Sequence, residues 1–266
     1  MKPTIFEHNG RAFSWEDIHE QLKAVGIHDE DAVFVHADLR TCGKISAGVT
    51  RDVFLGAFAH ALKESVGTGT VIVPTFSYSY CKNELFDKQK TPSTVGVLSE
   101  YIRIKHATHR SSDPIFSVAA WGKDAQQFTD VDNNCFGKNS IFEHLYKKNA
   151  QLCFIGERFD ITFMHYVEQS VQVPYRYMKT FTGKTQTDGK LTETTVQYFV
   201  RYLDRGVEYD LEKIARLLEQ HGVLKKAAFG NSIIRCVRAK DAFDVLKMLI
   251  KQDTCVLLKK HIEVST

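Results

Sequence analysis

The stretch that decides the fold is Asp31-Ala-Val-Phe-Val-His36, followed by a polar loop over 37–48, an apolar-periodic segment from Val49 to Val66, and Thr70-Val-Ile-Val-Pro74. The first and last pieces are β-branched and aromatic runs typical of buried strands. In the middle piece, apolar residues recur at three- and four-residue steps, which indicates an amphipathic helix. Strand, helix and strand form a βαβ unit, the building block of parallel α/β sheets.

Similar apolar runs and periodic segments follow to the end of the chain, so we predict one α/β domain over residues 1–266. We expect a central mixed, mostly parallel sheet flanked by helices. From about 174 to 205 the chain is rich in Tyr, Thr and Lys and contains the hairpin turn signal Asp188-Gly189. This segment predicts a small antiparallel extension that covers the substrate side of the site.

The composition excludes several classes of protein. With 43% apolar and 25% charged residues and a net charge of +3, the chain has the make-up of a soluble globular protein. No run approaches the roughly 20 apolar residues of a membrane helix, and Lys and Arg are not clustered as in nucleic-acid-binding proteins. The six cysteines lack C-x-x-C pairing, so we expect them to be reduced and mostly buried. We therefore expect a cytoplasmic protein without a membrane or nucleic-acid partner.

The loop before the predicted helix contains Gly43 and Gly48. A helix that follows a glycine loop presents free N–H groups and the positive end of its dipole, which favours an anionic phosphate. Val49 stands where a P-loop would have lysine, and there is no G-x-G-x-x-G, so an ATP, GTP or Rossmann dinucleotide site is excluded. The alternative is an ordinary helix start with turn glycines.

Further candidates follow the predicted strands. Thr75, Ser77 and Tyr78 come directly after the second strand, where ligands of parallel sheets gather. Arg110-Ser111 precedes an Asp113-Pro114 turn, and guanidinium and hydroxyl groups suit phosphate oxygens. The alternative is that the segment with Arg110 and Ser111 binds no ligand and is an ordinary surface loop.

The segment Thr162-x-x-His165-x-x-Glu168-Gln169 places its polar side chains on one face of a predicted helix. Such a stripe is costly to bury unless it binds something. Histidine is the side chain best matched to proton transfer near neutral pH, so His165 is a candidate general base. The alternative is a structural histidine.

Several motifs, taken in order, resemble the aminoglycoside 3-N-acetyltransferase family. They are Val35-His36-Ala-Asp-Leu39…Gly43, Gly69-Thr-Val-Ile-Val-Pro-Thr75, Thr91-Pro-Ser…Gly96-Val-Leu-Ser-Glu100, Arg110-Ser111-x-x-Pro114…Ser117-Val-Ala-Ala-x-Gly122, Gly137…Ser140 and Thr162-x-x-His165-x-x-Glu168. The resemblance spans roughly residues 30–185 and continues weakly to the C-terminus. It implies an α/β acyltransferase that moves an acyl group from coenzyme A to a sugar amine.

The resemblance also implies roles for individual residues. His165 would be the general base of direct acyl transfer and Glu168 its carboxylate partner. The coenzyme A contacts would be His36, Ala37, Asp38, Leu39, Thr41, Gly43, Thr75, Arg110, Ser111 and Ser117. The substrate contacts would be Tyr78, Asp113, Thr162 and Tyr175. No metal is implied, and a homodimer is compatible with the resemblance.

Two departures bear on the substrate. Asp113 stands before Pro114 where antibiotic-modifying members of the family commonly have histidine, and Ala37 replaces a common serine. We therefore expect the acceptor to be a nucleotide-linked amino sugar destined for surface polysaccharide, with an aminoglycoside antibiotic as the alternative. The sequence does not select the acyl group.

Three other hypotheses remain at the sequence level. Cys42 could form a covalent acyl intermediate. His36, Asp38, His165 and Glu168 could assemble a metal-dependent hydrolase, although no spaced ligand pair supports one. A non-catalytic protein that binds coenzyme A or a nucleotide sugar is the third hypothesis.

Overall fold

A computed structural model describes residues 4–262. The strands are β1 (Phe6–His8), β2 (Arg11–Phe13), β3 (Ala32–Ala37), β4 (Lys44–Ile45), β5 (Thr70–Pro74), β6 (Phe86–Asp87), β7 (His109–Arg110), β8 (Val118–Gly122), β9 (Gln151–Ile155), β10 (Arg176–Thr187), β11 (Lys190–Arg201), β12 (Lys225–Phe229) and β13 (Ser232–Arg238). The helices are α1 (Trp15–Ala24), α2 (Arg51–Val66), α3 (Val97–Lys105), α4 (Ala125–Thr129), α5 (Ile141–Lys147), α6 (Met164–Val171), α7 (Leu211–Gln220) and α8 (Ala239–Gln252).

Within residues 4–262, seven strands form the central sheet in the order β12-β13-β9-β3-β5-β8-β7. The mixed α/β sheet is confirmed, but parallel pairing is confined to β9, β3 and β5. The outer pairs, β5 with β8, β8 with β7, β9 with β13 and β13 with β12, are antiparallel. The expectation of a mostly parallel sheet was wrong because an apolar run indicates a buried strand but not its direction.

The predicted βαβ unit is present as β3, α2 and β5. Thr50 caps α2 by accepting a hydrogen bond from the N–H of Val53, and Gly67 ends the helix in a positive-φ conformation. Ser14 and Asp17 form a reciprocal capping box at the start of α1. Local signals of this kind predict the ends of α1 and α2 to within a few residues.

Side chains alternate between two apolar cores on the two faces of the central sheet. On β3, Val33 and Val35 face the core that includes α1, α2 and α3, whereas Phe34 faces the core that includes α5, α6 and α8. Five of the six cysteines are buried and none forms a disulfide, as expected. Within the described part of the chain, none of the helices has the length and apolar character needed to cross a bilayer.

The predicted antiparallel extension is the long hairpin of β10 and β11. Its turn residues Asp188 and Gly189 both have positive φ, 49° and 77°, as a two-residue hairpin turn of the I′ type requires. The short strand β6 adds to β10 in parallel. The hairpin packs against the face of the central sheet that carries α6. Val196 and Phe199 of β11 belong to the apolar core on that face.

Candidate active site

A cavity of about 630 Å³ opens where the parallel strands β3 and β9 end and the chain leaves β5. Ligands of α/β sheets bind at this edge of the strands. Several residues predicted from the sequence line the cavity, namely His36, Ala37, Asp38, Leu39, Tyr78 and Thr162. The structure therefore brings together four predicted coenzyme A contacts, His36 to Leu39, and two predicted substrate contacts, Tyr78 and Thr162.

The open side of this cavity carries positive groups that the sequence reasoning missed. Arg40 and Arg158 line it with highly exposed side chains, each paired with an aspartate two residues away, at 2.7 Å and 2.9 Å. The start of α3, at Gly96 and Val97, also lines it, and no side chain caps this helix. Two guanidinium groups beside a free helix N-terminus make an anion-binding arrangement.

The anion-binding helix expected from the sequence was α2, and the structure favours α3 instead. The loop before α2 forms a short 3-10 turn at Leu39–Thr41 and then the strand β4, and α2 does not line the cavity. A Cβ on Gly43 would lie 2.6 Å from the carbonyl oxygen of Glu7, so glycine is required there for the close approach of β1. Gly43 has a packing role, and its contact with coenzyme A stays a prediction.

His165 and Glu168 lie one helical turn apart on α6, with 2.8 Å between Nδ1 of His165 and Oε2 of Glu168. Glu168 is fully buried and is surrounded by donors from elements outside α6. Nε of Arg176 lies 2.9 Å from its Oε2, the hydroxyl of Tyr175 donates to Oε1 at 2.8 Å, and the hydroxyl of Tyr209 donates to Oε2 at 3.3 Å. The sequence predicted the His165–Glu168 pair but not Arg176 or Tyr209.

Several partners together decide the charge of this cluster. Burial raises the pKa of Glu168, but the charge of Arg176 together with the hydrogen bonds of His165 and Tyr175 offsets this effect, and the net shift is downward. Burial, and then the charge of Arg176, lower the pKa of His165 to about 4. Near neutral pH the carboxylate is therefore ionised and the imidazole is neutral.

The hydrogen bond to Glu168 selects the tautomer of His165. The ionised carboxylate can only accept, so Nδ1 carries the proton and donates it to Oε2. Nη2 of Arg176 lies 2.8 Å from Nδ1 and 3.4 Å from Nε2, and it cannot take a proton because guanidinium has only donors. With the proton on Nδ1, Nε2 has a lone pair that Nη2 of Arg176 faces at 3.4 Å. A substrate amine has to replace this weak contact before Nε2 can accept its proton as a general base.

An aromatic wall joins the cavity to His165. Ring centroids are 5.5 Å apart between Tyr78 and Phe116, 4.8 Å between Phe116 and Phe136, and 5.4 Å between Phe136 and His165. Thr162 lines the cavity, and its carbonyl accepts the N–H of His165 at 3.0 Å. Phe136 was not singled out in the sequence, where it is one apolar residue among many.

Other predicted coenzyme contacts lie in a buried network beneath the cavity. Arg110 donates to the carbonyls of Lys88, Thr91 and Thr75, and Ser117 donates to the carbonyl of Thr75. The hydroxyl of Ser111 accepts from the N–H of Val118, and Thr41 donates to Ser232. These hydrogen bonds give the residues a structural role, although Nε of Arg110 is buried without a partner. Their contact with coenzyme A stays a prediction.

Two predicted substrate contacts also have internal partners. Tyr175 has no exposed surface and holds Glu168, so the structure assigns its hydroxyl to the carboxylate rather than to a substrate. The carboxylate of Asp113 accepts the N–H groups of Ile115 and Phe116, and burial raises its pKa. Asp113 therefore shapes the turn that follows it, and its contact with substrate stays a prediction.

A pair of variants distinguishes these roles. Arg110→Met should lower the free energy of unfolding by about 1–3 kcal/mol, because buried carbonyls lose their donor, and should leave coenzyme A affinity unchanged. Arg40→Gln should leave the free energy of unfolding unchanged, because its ion pair is exposed and contributes little to stability. It should weaken the binding of coenzyme A. Denaturant titration and calorimetric binding of coenzyme A provide both readouts. Weaker coenzyme binding by a fully stable Arg110→Met protein would restore the predicted contact.

The geometry does not favour two of the sequence-level alternatives. Cys42 is buried, and burial raises the pKa of its thiol to about 12, so it is not a ready nucleophile. Among residues 4–262, the group of potential metal ligands that converges is Asp253, Cys255 and His261. It contains none of the four residues proposed for a hydrolase.

The family model described as aminoglycoside 3-N-acetyltransferase matches residues 34–251, most of the chain. The chain belongs to this family. The family membership predicted from the sequence motifs is confirmed, and the predicted N-acyltransferase class with coenzyme A as co-substrate agrees with it.

Relatives of this aminoglycoside 3-N-acetyltransferase family member have low sequence identity. The SPbeta prophage-derived aminoglycoside N(3')-acetyltransferase-like protein YokD of Bacillus subtilis (strain 168) is 24% identical over 186 residues, which cover 60% of this chain and 66% of that protein. Aminoglycoside N(3)-acetyltransferase III of Acinetobacter baumannii is 25% identical over 62% of this chain and 63% of that protein. These two alignments span just under two thirds of each relative.

Solved structures share the fold. Aminoglycoside acetyltransferase AAC(3)-Xa superposes with a TM-score of 0.78 at 20% identity, covering 93% of this chain and 95% of that one. A structure described as AAC-IIIb binary with CoASH has a TM-score of 0.76 at 20% identity, with 94% and 99% coverage. One described as AAC-VIa bound to sisomicin has a TM-score of 0.77 at 21% identity, with 90% and 98% coverage.

Proposed function

We propose that this protein transfers an acyl group from acyl-coenzyme A to an amino group of an aminoglycoside, with His165 as the general base. The observation that carries the proposal is the contact of Nδ1 of His165 with the buried carboxylate of Glu168, itself paired with Arg176, at the end of an aromatic wall that leads to the cavity. Family membership supplies the reaction class, and this cluster supplies the chemistry that the reaction needs.

In the proposed reaction the substrate amine attacks the thioester carbonyl while Nε2 of His165 accepts a proton from the nitrogen. A C–N bond forms, the C–S bond breaks, and the leaving thiolate takes the proton back from the imidazolium. Glu168 stabilises the transient positive charge through Nδ1, and Arg176 keeps Glu168 ionised. The amide and free coenzyme A are the products, and no covalent enzyme intermediate is required.

In this proposal coenzyme A occupies the cavity that the aromatic wall connects to this cluster. Its phosphates would lie at the open side, near Arg40, Arg158 and the start of α3. Its thioester would point toward Thr162 and His165. The solved relative described as AAC-IIIb binary with CoASH has the same fold, which supports coenzyme A as a ligand of this protein.

The aminoglycoside acceptor replaces the nucleotide-linked amino sugar as the first candidate. The curated relatives are described as aminoglycoside acetyltransferases, and a solved relative is described as bound to sisomicin, whereas nothing in the comparisons supports a nucleotide sugar. A smaller cavity of about 170 Å³, lined by Asp113, Asp132 and Thr194, adds carboxylates that suit a polycation.

A thiol-release assay with acetyl-coenzyme A tests the proposal. We expect release with aminoglycosides such as sisomicin, and release slower by about 10²–10⁴-fold in a His165→Ala protein that still binds coenzyme A. Release with nucleotide-linked amino sugars and not with aminoglycosides would reverse the choice of acceptor. Coenzyme A binding without thiol release from any amine would contradict the enzyme and favour a binding protein. The predicted homodimer is independent of this assay, and light scattering would test it.

A further inference from the structure

Three potential metal ligands converge where the chain leaves α8. Asp253 directly follows that helix, Cys255 lies in the turn that comes next, and His261 lies in the segment after the turn. Their carboxylate, thiol and imidazole ligand atoms all lie within 4.8 Å of one another. Cys255 is buried, whereas Asp253 and His261 are exposed. Packing therefore fixes the sulfur, and the two exposed side chains can rotate around it.

Hydrogen bonds and apolar packing hold the backbone that carries these residues. Oδ1 of Asp253 accepts the N–H of Cys255 at 2.8 Å, and the carbonyl of Cys255 accepts the N–H of Leu258 at 2.8 Å. Cys255, Leu257 and Leu258 belong to the apolar core that includes α8. The carboxylate has a second oxygen for a further ligand. Because the backbone is already fixed, an ion would bind here at a reduced entropic cost.

The donor set selects the class of metal ion. Magnesium and calcium prefer oxygen ligands, so a thiol beside an imidazole disfavours both. Zinc binds sulfur, nitrogen and oxygen together, and a thiolate with a carboxylate balances its two positive charges. Tetrahedral zinc, with bonds of about 2.0–2.3 Å, has its ligand atoms about 3.3–3.8 Å apart. Ligand atoms within 4.8 Å of one another reach this spacing by moving roughly 1 Å.

We propose that Asp253, Cys255 and His261 bind a zinc ion, with water as the fourth ligand. The thiol proton of Cys255 passes to solvent when the sulfur binds the ion. None of these three residues lines the large cavity, so the site is distinct from the candidate active site. The inference therefore does not depend on the proposed acyl transfer.

The zinc site would anchor a segment that packs beside the His165 cluster. Two backbone hydrogen bonds, of 2.9 Å and 3.0 Å, join residues 208–210 to residues 257–259. Tyr209, in the middle of the first group, donates its hydroxyl to Glu168. A zinc ion that ties residue 261 back to residue 253 would hold the second group in place. Its binding should therefore stabilise the folded chain.

Zinc binding to the reduced, chelator-treated protein tests the site. Calorimetry should show one ion per chain. Cys255→Ser and His261→Ala should each weaken binding by at least about 100-fold, because even the loss of a group that only orients a metal ligand costs about 10–100-fold. Cys81→Ser and His221→Ala remove an exposed cysteine and an exposed histidine elsewhere and should bind zinc as the wild type does. Magnesium should not compete.

Cobalt(II) identifies the sulfur ligand, because cobalt bound to a thiolate has a near-ultraviolet charge-transfer band. The wild type and Cys81→Ser should show this band, and Cys255→Ser should lack it. Zinc should raise the Tm of the wild type and leave that of His261→Ala unchanged.

Three results would each overturn the proposal. They are a wild-type protein that binds no zinc, zinc binding that survives in His261→Ala or Cys255→Ser, and cobalt binding without the thiolate band. Should Cys255→Ser not fold, the exposed position of His261 keeps the test valid, because His261→Ala and the cobalt band of the wild type then decide it.

Discussion

Replacing His165 with alanine is expected to lower turnover by about 10²–10⁴-fold, the usual contribution of a general base. The variant removes the one imidazole whose Nδ1 contacts a buried carboxylate and whose Nε2 has the lone pair that would accept a proton. Thiol release under saturating acetyl-coenzyme A and aminoglycoside measures the effect. Because the cavity lining is unchanged, coenzyme A affinity should stay close to that of the wild type.

His221→Ala is a suitable control for this experiment. His221 is an exposed histidine at the end of α7, far along the chain from α6, and its ring bonds only to the carbonyl of Leu217. The control should keep wild-type turnover. Near-wild-type turnover in His165→Ala itself would contradict the base assignment and leave the amine to react without protein assistance.

The parts of the fold that the sequence predicted are those with local signals. The three- and four-residue apolar spacing of α2 and the turn pair Asp188-Gly189 of the hairpin each act over a few residues of the chain. Strand direction does not have such a signal. β8 and β13 are apolar runs like β3 and β5, and only their tertiary pairing makes them antiparallel.

The same distinction applies to the site. His165 and Glu168 are neighbours on one helix, so their spacing identified the pair. Arg176 and Tyr209 reach Glu168 from other elements, Tyr209 from 41 residues away, and nothing near them in the sequence marks that contact. A buried glutamate does require a cation, but the chain offers many arginines, and only the fold selects one.

The sequence also does not show which helix N-terminus, that of α2 or that of α3, lies at the cavity. α2 and α3 both begin near glycines, and the sequence assigned the phosphate-binding helix start to α2. The structure places Gly96, at the start of α3, beside the cavity, where its Cβ position would be 3.2 Å from the carbonyl of Ala37. Position relative to the strand edge, rather than the local sequence, decides which helix can bind an anion.

Replacing Arg176 with methionine is expected to cost about 3–5 kcal/mol of the free energy of unfolding at neutral pH, because it leaves Glu168 buried and unpaired. The double variant Arg176→Met/Glu168→Gln removes the buried charge and should recover much of this loss. Arg216→Met, at an exposed position on α7, is the matched control and should be neutral. Denaturant titration measures all three proteins, and an equal loss in the single and double variants would contradict the electrostatic explanation.

The stability effect depends on pH in a defined direction. In the wild type, the lowered pKa of Glu168 contributes stability that is present above its usual value of 4.5 and is lost as pH falls through the folded pKa. Arg176→Met lacks this contribution at any pH. The difference in stability between the two proteins should therefore be largest near neutral pH and should narrow in acid.

Arg176 also controls the proton affinity of His165, and two single variants should move it in opposite directions. Arg176→Met removes the cation that opposes protonation of His165, so the pKa of His165 should rise from about 4. Glu168→Gln removes the anion and leaves the cation, so the pKa should fall further. NMR titration of the imidazole nitrogens measures both shifts. A general loosening of the site would expose the ring to water and raise the pKa in both variants, so only the opposite pair of shifts identifies an electrostatic triad of Arg176, Glu168 and His165.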